Sequence, residues 1–338
     1  MKKLLTCFLL ALTLFIFWNI PVRAAAPKTF YQKLETGRSV RVAVLGDSIA
    51  NSTGIDPQYC WNTLLKNWLE SEYNSQVIMD NYAIGGTTSY TGYYQCHTAM
   101  SREIQKKGTY DLIIVCYGQN DAPEHFGLIY ESLLRRIKLN NPNACLITIL
   151  ESSQGTYTSK MHEIIYLSYL YGADIADTIK AAALTDMTYE EFHPDGIHPG
   201  LTGHQIYFET LKEVILQCIE IGRTPTQLPV PFSENIPQLE QYTFIPLKDC
   251  LQPDGSYLLI SKRPTLGIVL TMSPQSDYVK LNFSNGDIWE ANANTTIPLT
   301  WSSAFLANLF LPPNTAVILE NPNGTMDQTV QGFIISGP

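Results

Sequence analysis

Charge is scarce in this chain. Only 16% of its 338 residues are Asp, Glu, Lys or Arg, and 22 basic residues stand against 31 acidic ones, for a formal net charge of -9. No Lys/Arg-rich run occurs, so nucleic acid is not an expected partner; neutralising a phosphate backbone takes clustered cations. Repeats of fixed period and low-complexity tracts are missing as well. No His/Cys spacing of a zinc site is found, and neither a metal nor a cofactor is called for. What the chain has in quantity is apolar: 45% hydrophobic residues, enough for a true core and too many for a disordered chain. The length suits one large or two ordinary domains.

The first residues read "MKKLLTCFLLALTLFIFWNIPVRAAAP". A basic start, an apolar run from Leu4 to about Ile20 and small residues at Ala24, Ala25 and Ala26 have the layout of a secretory leader. Val22 and Ala24 fit a cut after Ala24, so residues 1–24 are expected to be a signal peptide; an uncleaved anchor is the competing reading. Export leads to a secreted, periplasmic or cell-surface location, with no stable membrane insertion once the leader is gone. Six cysteines remain beyond Cys7. Cys116 and Cys145 lie in strand-like apolar runs and read as small buried hydrophobes. Cys60 and Cys96 flank polar loops and are the plausible disulfide pair.

Between residues 39 and 221 two periodicities alternate. "SVRVAVLG", "SQVIMDNYA", "DLIIVCYG", "ACLITIL" and "ADIAD" are of strand type. Helical spacing lies between them, as in Trp61, Leu64, Leu65, Trp68 and Leu69. Five strand–helix units with strands apolar on both faces predict a doubly wound, flavodoxin-like parallel sheet over 27–221. Residues 222–237 carry Pro without periodicity and read as a linker or strap. Beyond them, short runs such as "SYLLISK", "LGIVLTM" and "DYVKLNF" alternate with turn signals, Asn285-Gly286 being a hairpin signal. Residues 238–338 are therefore expected to form a small antiparallel β sandwich or barrel.

In such sheets, sites form beyond the carboxyl ends of the strands. The first strand ends in "GDSIANS" and presents Ser48. A serine hydroxyl becomes a nucleophile when a base takes its proton and donors hold the oxyanion. The second strand ends in "NYAIGG", where Gly86 allows close approach of a backbone N–H. The third ends in "YGQND", where Asn120 offers a side-chain donor. Near the end of this region, "DGIHPG" holds Asp195 and His198 three residues apart in one turn. Singly, each of these features is an ordinary turn. The serine comes early and lacks the following glycine of a G-x-S-x-G elbow.

Together and in this order, the four blocks resemble the SGNH/GDSL hydrolase superfamily over about 39–221. The resemblance implies Ser48 as nucleophile, His198 as base and Asp195 as its orienter. It also implies an oxyanion hole from the N–H groups of Ser48 and Gly86 and the Asn120 side chain. Asp47 and Asp121 would serve the loops. Ala83 departs from the glycine often found in the second block. The implied activity is a secreted serine esterase acting on small acyl esters, acetyl above all, on carbohydrate. A lipid-ester hydrolase and a polysaccharide O-acyltransferase using the same triad are the alternatives. Tyr90, Tyr93 and Tyr94, after the second block, could form a platform for substrate or could be ordinary packing. The run "LANLFLPP", 306–313, reads as core of the β domain.

Overall fold

The computed structural model of the chain describes residues 28–321 and 323–337. The expected leader and Cys7 lie outside them. Five strands, β1 (Val40–Gly46), β2 (Val77–Asn81), β3 (Leu112–Cys116), β4 (Cys145–Leu150) and β5 (Asp174–Asp177), form one parallel sheet in the order β2-β1-β3-β4-β5. The apolar runs of β1 and β3 divide by parity, because successive side chains of a strand point to opposite faces. Val40, Val42, Val44, Leu112, Ile114 and Cys116 pack beneath helices 61–73 and 201–220, with Trp61, Leu65 and Leu211. Ala43, Leu45, Ile113 and Val115 pack on the other face, against Tyr93, Tyr130, Leu134 and Ile164 of helices 89–97, 126–140 and 159–171. The strand order reverses at β1 and β3, and the crevice expected there lies above Gly46 and Cys116.

The six cysteines beyond residue 28 are free thiols. Cys60 donates toward the carbonyls of Ile55 and Asp56, while Cys96 lies against the Met100 sulfur in the core of the opposite face. The Cys60–Cys96 pairing is thus corrected.

The rest of the chain forms a sandwich of two four-stranded antiparallel sheets. One comprises β10 (Ile288–Asn292), β9 (Tyr278–Phe283), β12 (Thr315–Glu320) and β7 (Tyr257–Ser261). The other comprises β11 (Trp301–Asn308), β8 (Thr265–Met272), β13 (Val330–Ser336) and β6 (Tyr242–Pro246). Leu266, Ile268 and Leu270 of β8 face Leu281, Val317 and Phe333 within the sandwich. Its alternate residues Gly267 and Val269 face the parallel-sheet domain instead. Val269, Ala304 and Ile334 belong to the same cluster as Tyr90 and Tyr93. A Cβ on Gly267 would strike the Tyr90 ring. This outer face is why β8 lacks a polar alternation.

The tyrosines after the second block therefore lie in a helix, Ser89–His97, with Tyr90 and Tyr93 buried under the sandwich. Tyr90 and Tyr93 pack in the core shared with the sandwich, and Tyr90 also borders a cavity at Gly86 and Asn120. The segment after Gly222 runs back across helices 126–140 and 159–171. Lys138 donates to Thr226 at 3.0 Å, Arg135 to the Pro229 carbonyl at 3.1 Å, and the N–H groups of Phe232 and Ser233 to buried Glu131 at 2.6 and 3.0 Å.

Candidate active site

Ser48 opens a one-turn helix, Ser48–Asn51, at the end of β1 and is 8% exposed. The turn is tight enough that a Cβ on Gly46 would lie 2.6 Å from the Cys116 carbonyl oxygen. Asp47 caps the turn, accepting the Ile49 N–H at 2.9 Å. The second-block loop lies alongside: a Cβ built on Gly85 would meet the Ser48 Cβ at 3.6 Å. Gly86 has φ +75°, a left-handed conformation that favours glycine. Ala83 closes the start of this turn by donating its N–H to Asn81 at 2.9 Å. Among the described residues the N–H groups of Ser48 and Gly86 take part in no backbone hydrogen bond. They are two free donors beside one hydroxyl.

Asn120 extends from the end of β3, but its amide is occupied. Nδ2 donates to the Thr87 carbonyl at 3.0 Å and to Asp47 Oδ2 at 3.3 Å. Asp121 binds the start of helix 89–97 through the N–H and hydroxyl of Ser89, at 2.9 and 2.5 Å.

His198 and Asp195 are in contact. Asp195 Oδ2 lies 2.7 Å from His198 Nδ1, and Oδ1 accepts the N–H groups of His198 at 2.7 Å and Ile197 at 3.0 Å. These bonds, the His198 N–H first, hold the Asp195 carboxyl well below the usual carboxylate range. A carboxylate accepts and does not donate, so Nδ1 carries the ring proton and Nε2 presents its lone pair. Nε2 is buried and makes no hydrogen bond among the described residues, with Ser48 or with any other group.

Three sets of contacts fix this loop and the Ser48 turn in place, and none of them was read from the sequence. Trp61 donates Nε1–H to the Ile49 carbonyl at 3.1 Å and its N–H to His204 Nδ1 at 3.3 Å, joining the nucleophile turn to the helix that follows His198. Asn62 and Asn81 both donate to the Ala50 carbonyl, at 3.0 and 3.3 Å. Buried His193 bonds the Tyr189 carbonyl through Nδ1 at 3.2 Å and Ser152 Oγ through Nε2 at 2.9 Å, pinning the loop to the end of β4. Burial lowers the pKa of His193, and takes that of His204 to about 4. Both imidazoles are neutral fasteners.

Beneath the turn lies a further carboxylate, Glu151, fully buried at the end of β4. Cys116 Sγ donates to its Oε1 at 3.3 Å, and Oε2 lacks a donor. Burial lifts its pKa to about 7. The same burial, with Glu151 next to it, raises Asp47 well above the carboxylate range. Burial and mutual proximity push both acids toward the protonated form.

A cavity of about 700 Å³ begins at Gly86 and Asn120 and continues to β10 and β11. Among the described residues no group of three or more His, Cys, Asp or Glu is arranged to hold a metal ion, and no helix is long and apolar enough to cross a membrane.

A doubly wound parallel sheet carrying its polar loops at the strand ends defines the flavodoxin-like α/β class. The sequence profile of the GDSL-like lipase/acylhydrolase family matches residues 44–206, so the chain carries a domain of that family. It is accordingly a hydrolase of carboxylic esters. The fold resembles a two-domain esterase active on acetylated mannans, solved with and without mannopentaose. The two structures have TM-scores of 0.66 and 0.67 at 16% identity, covering 90% of this chain and 94% and 93% of theirs. A variant of an acetyl xylan esterase from Geobacillus stearothermophilus matches over 54% of this chain and 96% of its own, at 17% identity and a TM-score of 0.44. No curated protein matches the chain by sequence.

Proposed function

We propose that the protein is an exported esterase that removes small acyl groups, acetyl above all, from carbohydrate, with Ser48, His198 and Asp195 as its triad. The carrying observation is the Asp195–His198 pair at 2.7 Å, whose buried Nε2 has no partner. It stands on a loop that Trp61 ties to the Ser48 turn. In this reading Ser48 Oγ attacks the ester carbonyl and its proton passes to Nε2. Asp195 keeps the imidazole in the Nδ1–H form and stabilises the imidazolium. The N–H groups of Ser48 and Gly86 receive the oxyanion. The Asn120 amide joins them by exchanging its long 3.3 Å bond to Asp47 for the developing charge. Nε2–H protonates the departing sugar oxygen, which leaves as the free hydroxyl, and water repeats the sequence on the acyl-enzyme. The Ser48–His198 hydrogen bond forms when substrate enters.

The reading takes 27–221 as the catalytic domain, 222–237 as connector and 238–338 as accessory domain, behind a leader over 1–24. The carbohydrate preference draws support from the mannan-active esterase that shares this two-domain layout. A fluorophosphonate probe is expected to label the wild type once and the Ser48→Ala variant not at all. Labelling of Ser48→Ala would place the nucleophile elsewhere. A series of nitrophenyl esters is expected to fall in rate from acetyl to long acyl; a rise with chain length would favour a lipid-ester hydrolase.

A further inference from the structure

The cavity at Gly86 and Asn120 has its far wall in the other domain. The sandwich is open along one side, where the edge strands β10 and β11 lie in different sheets. Across that opening the rings of Trp289 and Phe305 are 6.1 Å apart, and both line the cavity. Phe310, 53% exposed, leans on His125 at 5.6 Å between centroids. The wall stands at a set distance from the oxyanion donors. Thr91, five residues after Gly86, donates to the Ala304 carbonyl at 3.0 Å and accepts the Ala304 N–H at 3.2 Å. Thus β11 is bonded directly to the helix that the second block leads into.

The wall's chemistry is selective. Among its described lining residues there is no Lys or Arg, whereas Glu124 and Asp287 line it and are exposed. Asp287 Oδ2 accepts Asn285 at 2.8 Å and Asn308 at 3.4 Å, which leaves acceptor capacity for hydroxyl groups. Aromatic faces suit the C–H faces of pyranose rings, and carboxylates accept their hydroxyls. An anionic chain would meet like charge and no counter-ion.

We infer that the β sandwich supplies the second wall of the substrate groove and selects neutral oligosaccharides, holding the rings next to the esterified one on Trp289 and Phe310. The inference rests on the esterase reading above and adds the specificity of that site. The accessory domain is then part of the active groove. Its removal would unmake the site rather than merely weaken attachment to a polysaccharide.

The test uses the full chain and three probes: nitrophenyl acetate, chemically acetylated neutral manno-oligosaccharides and chemically acetylated oligogalacturonides. The wild type is expected to deacetylate the neutral oligosaccharides at least tenfold more efficiently than the uronic ones. In Trp289→Ala and Phe310→Ala, the ratio of kcat/KM for the neutral oligosaccharide to that for nitrophenyl acetate is expected to fall at least tenfold, mainly through KM. Phe310 is exposed, so its variant tests the wall even where Trp289→Ala fails to fold. An unchanged ratio in Phe310→Ala, or equal rates on neutral and uronic substrates, overturns the inference while leaving the esterase reading intact. A wild type that cleaves nitrophenyl acetate but no acetylated oligosaccharide overturns both.

Discussion

Replacing Glu151 by glutamine tests whether the acid pair under the nucleophile holds a proton. In the unfolded chain a glutamate titrates near 4.5, and in the fold burial lifts Glu151 to about 7. Between those values the native state binds a proton that the unfolded state has lost, so stability falls as pH rises. The contribution is fully present below about 4.5 and is lost as pH passes through about 7. A shift of this size corresponds to about 3 kcal/mol, or roughly 10 °C in Tm for a domain of this length. Glutamine keeps the shape and supplies a permanent N–H donor toward Asp47, which in turn accepts from Asn120. Thermal unfolding from pH 5 to pH 8 is therefore expected to show the wild-type Tm dropping about 10 °C further than that of Glu151→Gln. Proton uptake on folding at pH 6, read by calorimetry in buffers of different ionisation enthalpy, is expected to shrink in the variant. Parallel Tm profiles with equal proton uptake would refute a protonated Glu151.

Three further outcomes are expected. Asn120→Ala should lower kcat by roughly a hundred- to a thousandfold with a smaller effect on KM, and Asn120→Asp should be at least as damaging; near wild-type kcat in both would leave Asn120 as a turn residue. Asp195→Asn should cost roughly a thousandfold or more in kcat, because an amide no longer enforces the Nδ1–H form; steady-state kinetics on nitrophenyl acetate would read this, and a loss below tenfold would count against the orienting role. Gly267→Val should destabilise the contact between the domains by about 1–3 kcal/mol through collision with Tyr90, seen as a lowered Tm; an unchanged Tm would mean that the Tyr90 ring has room to move.

Several features were legible because they are local. The parity of apolar residues in β1 and β3 settles that both faces of the sheet are covered. Glycine and polar residues at the ends of β1, β2 and β3 mark the crevice, since a parallel sheet brings its carboxyl ends to one edge whatever joins them. Asp195 and His198 are three residues apart, close enough for one turn to bring them into contact. Sequence periodicity likewise located the strands of the sandwich, except β6 and β11. Those two are edge strands, and "YTFIP" and "WSSAFLAN" carry too much polar or proline character to give a clear period.

What tertiary structure alone decided depends on contacts between distant stretches. Trp61 meets His204 across 143 residues, and Thr91 meets Ala304 across 213. No local pattern encodes either pairing. Glu151 looks like an ordinary polar residue after a strand; its character comes from burial, beside Cys116 of the neighbouring β3 and near Asp121. Tyr90 and Tyr93 read equally as surface or core until a second sheet covers them. The sequence by itself determined the family, the sheet and the loops that could hold chemistry, because these follow from periodicity and turn preference. Only the packed chain decided which imidazoles are fasteners, which carboxyl is buried and which strands line the cavity. Burial and charge at a point depend on everything folded around it.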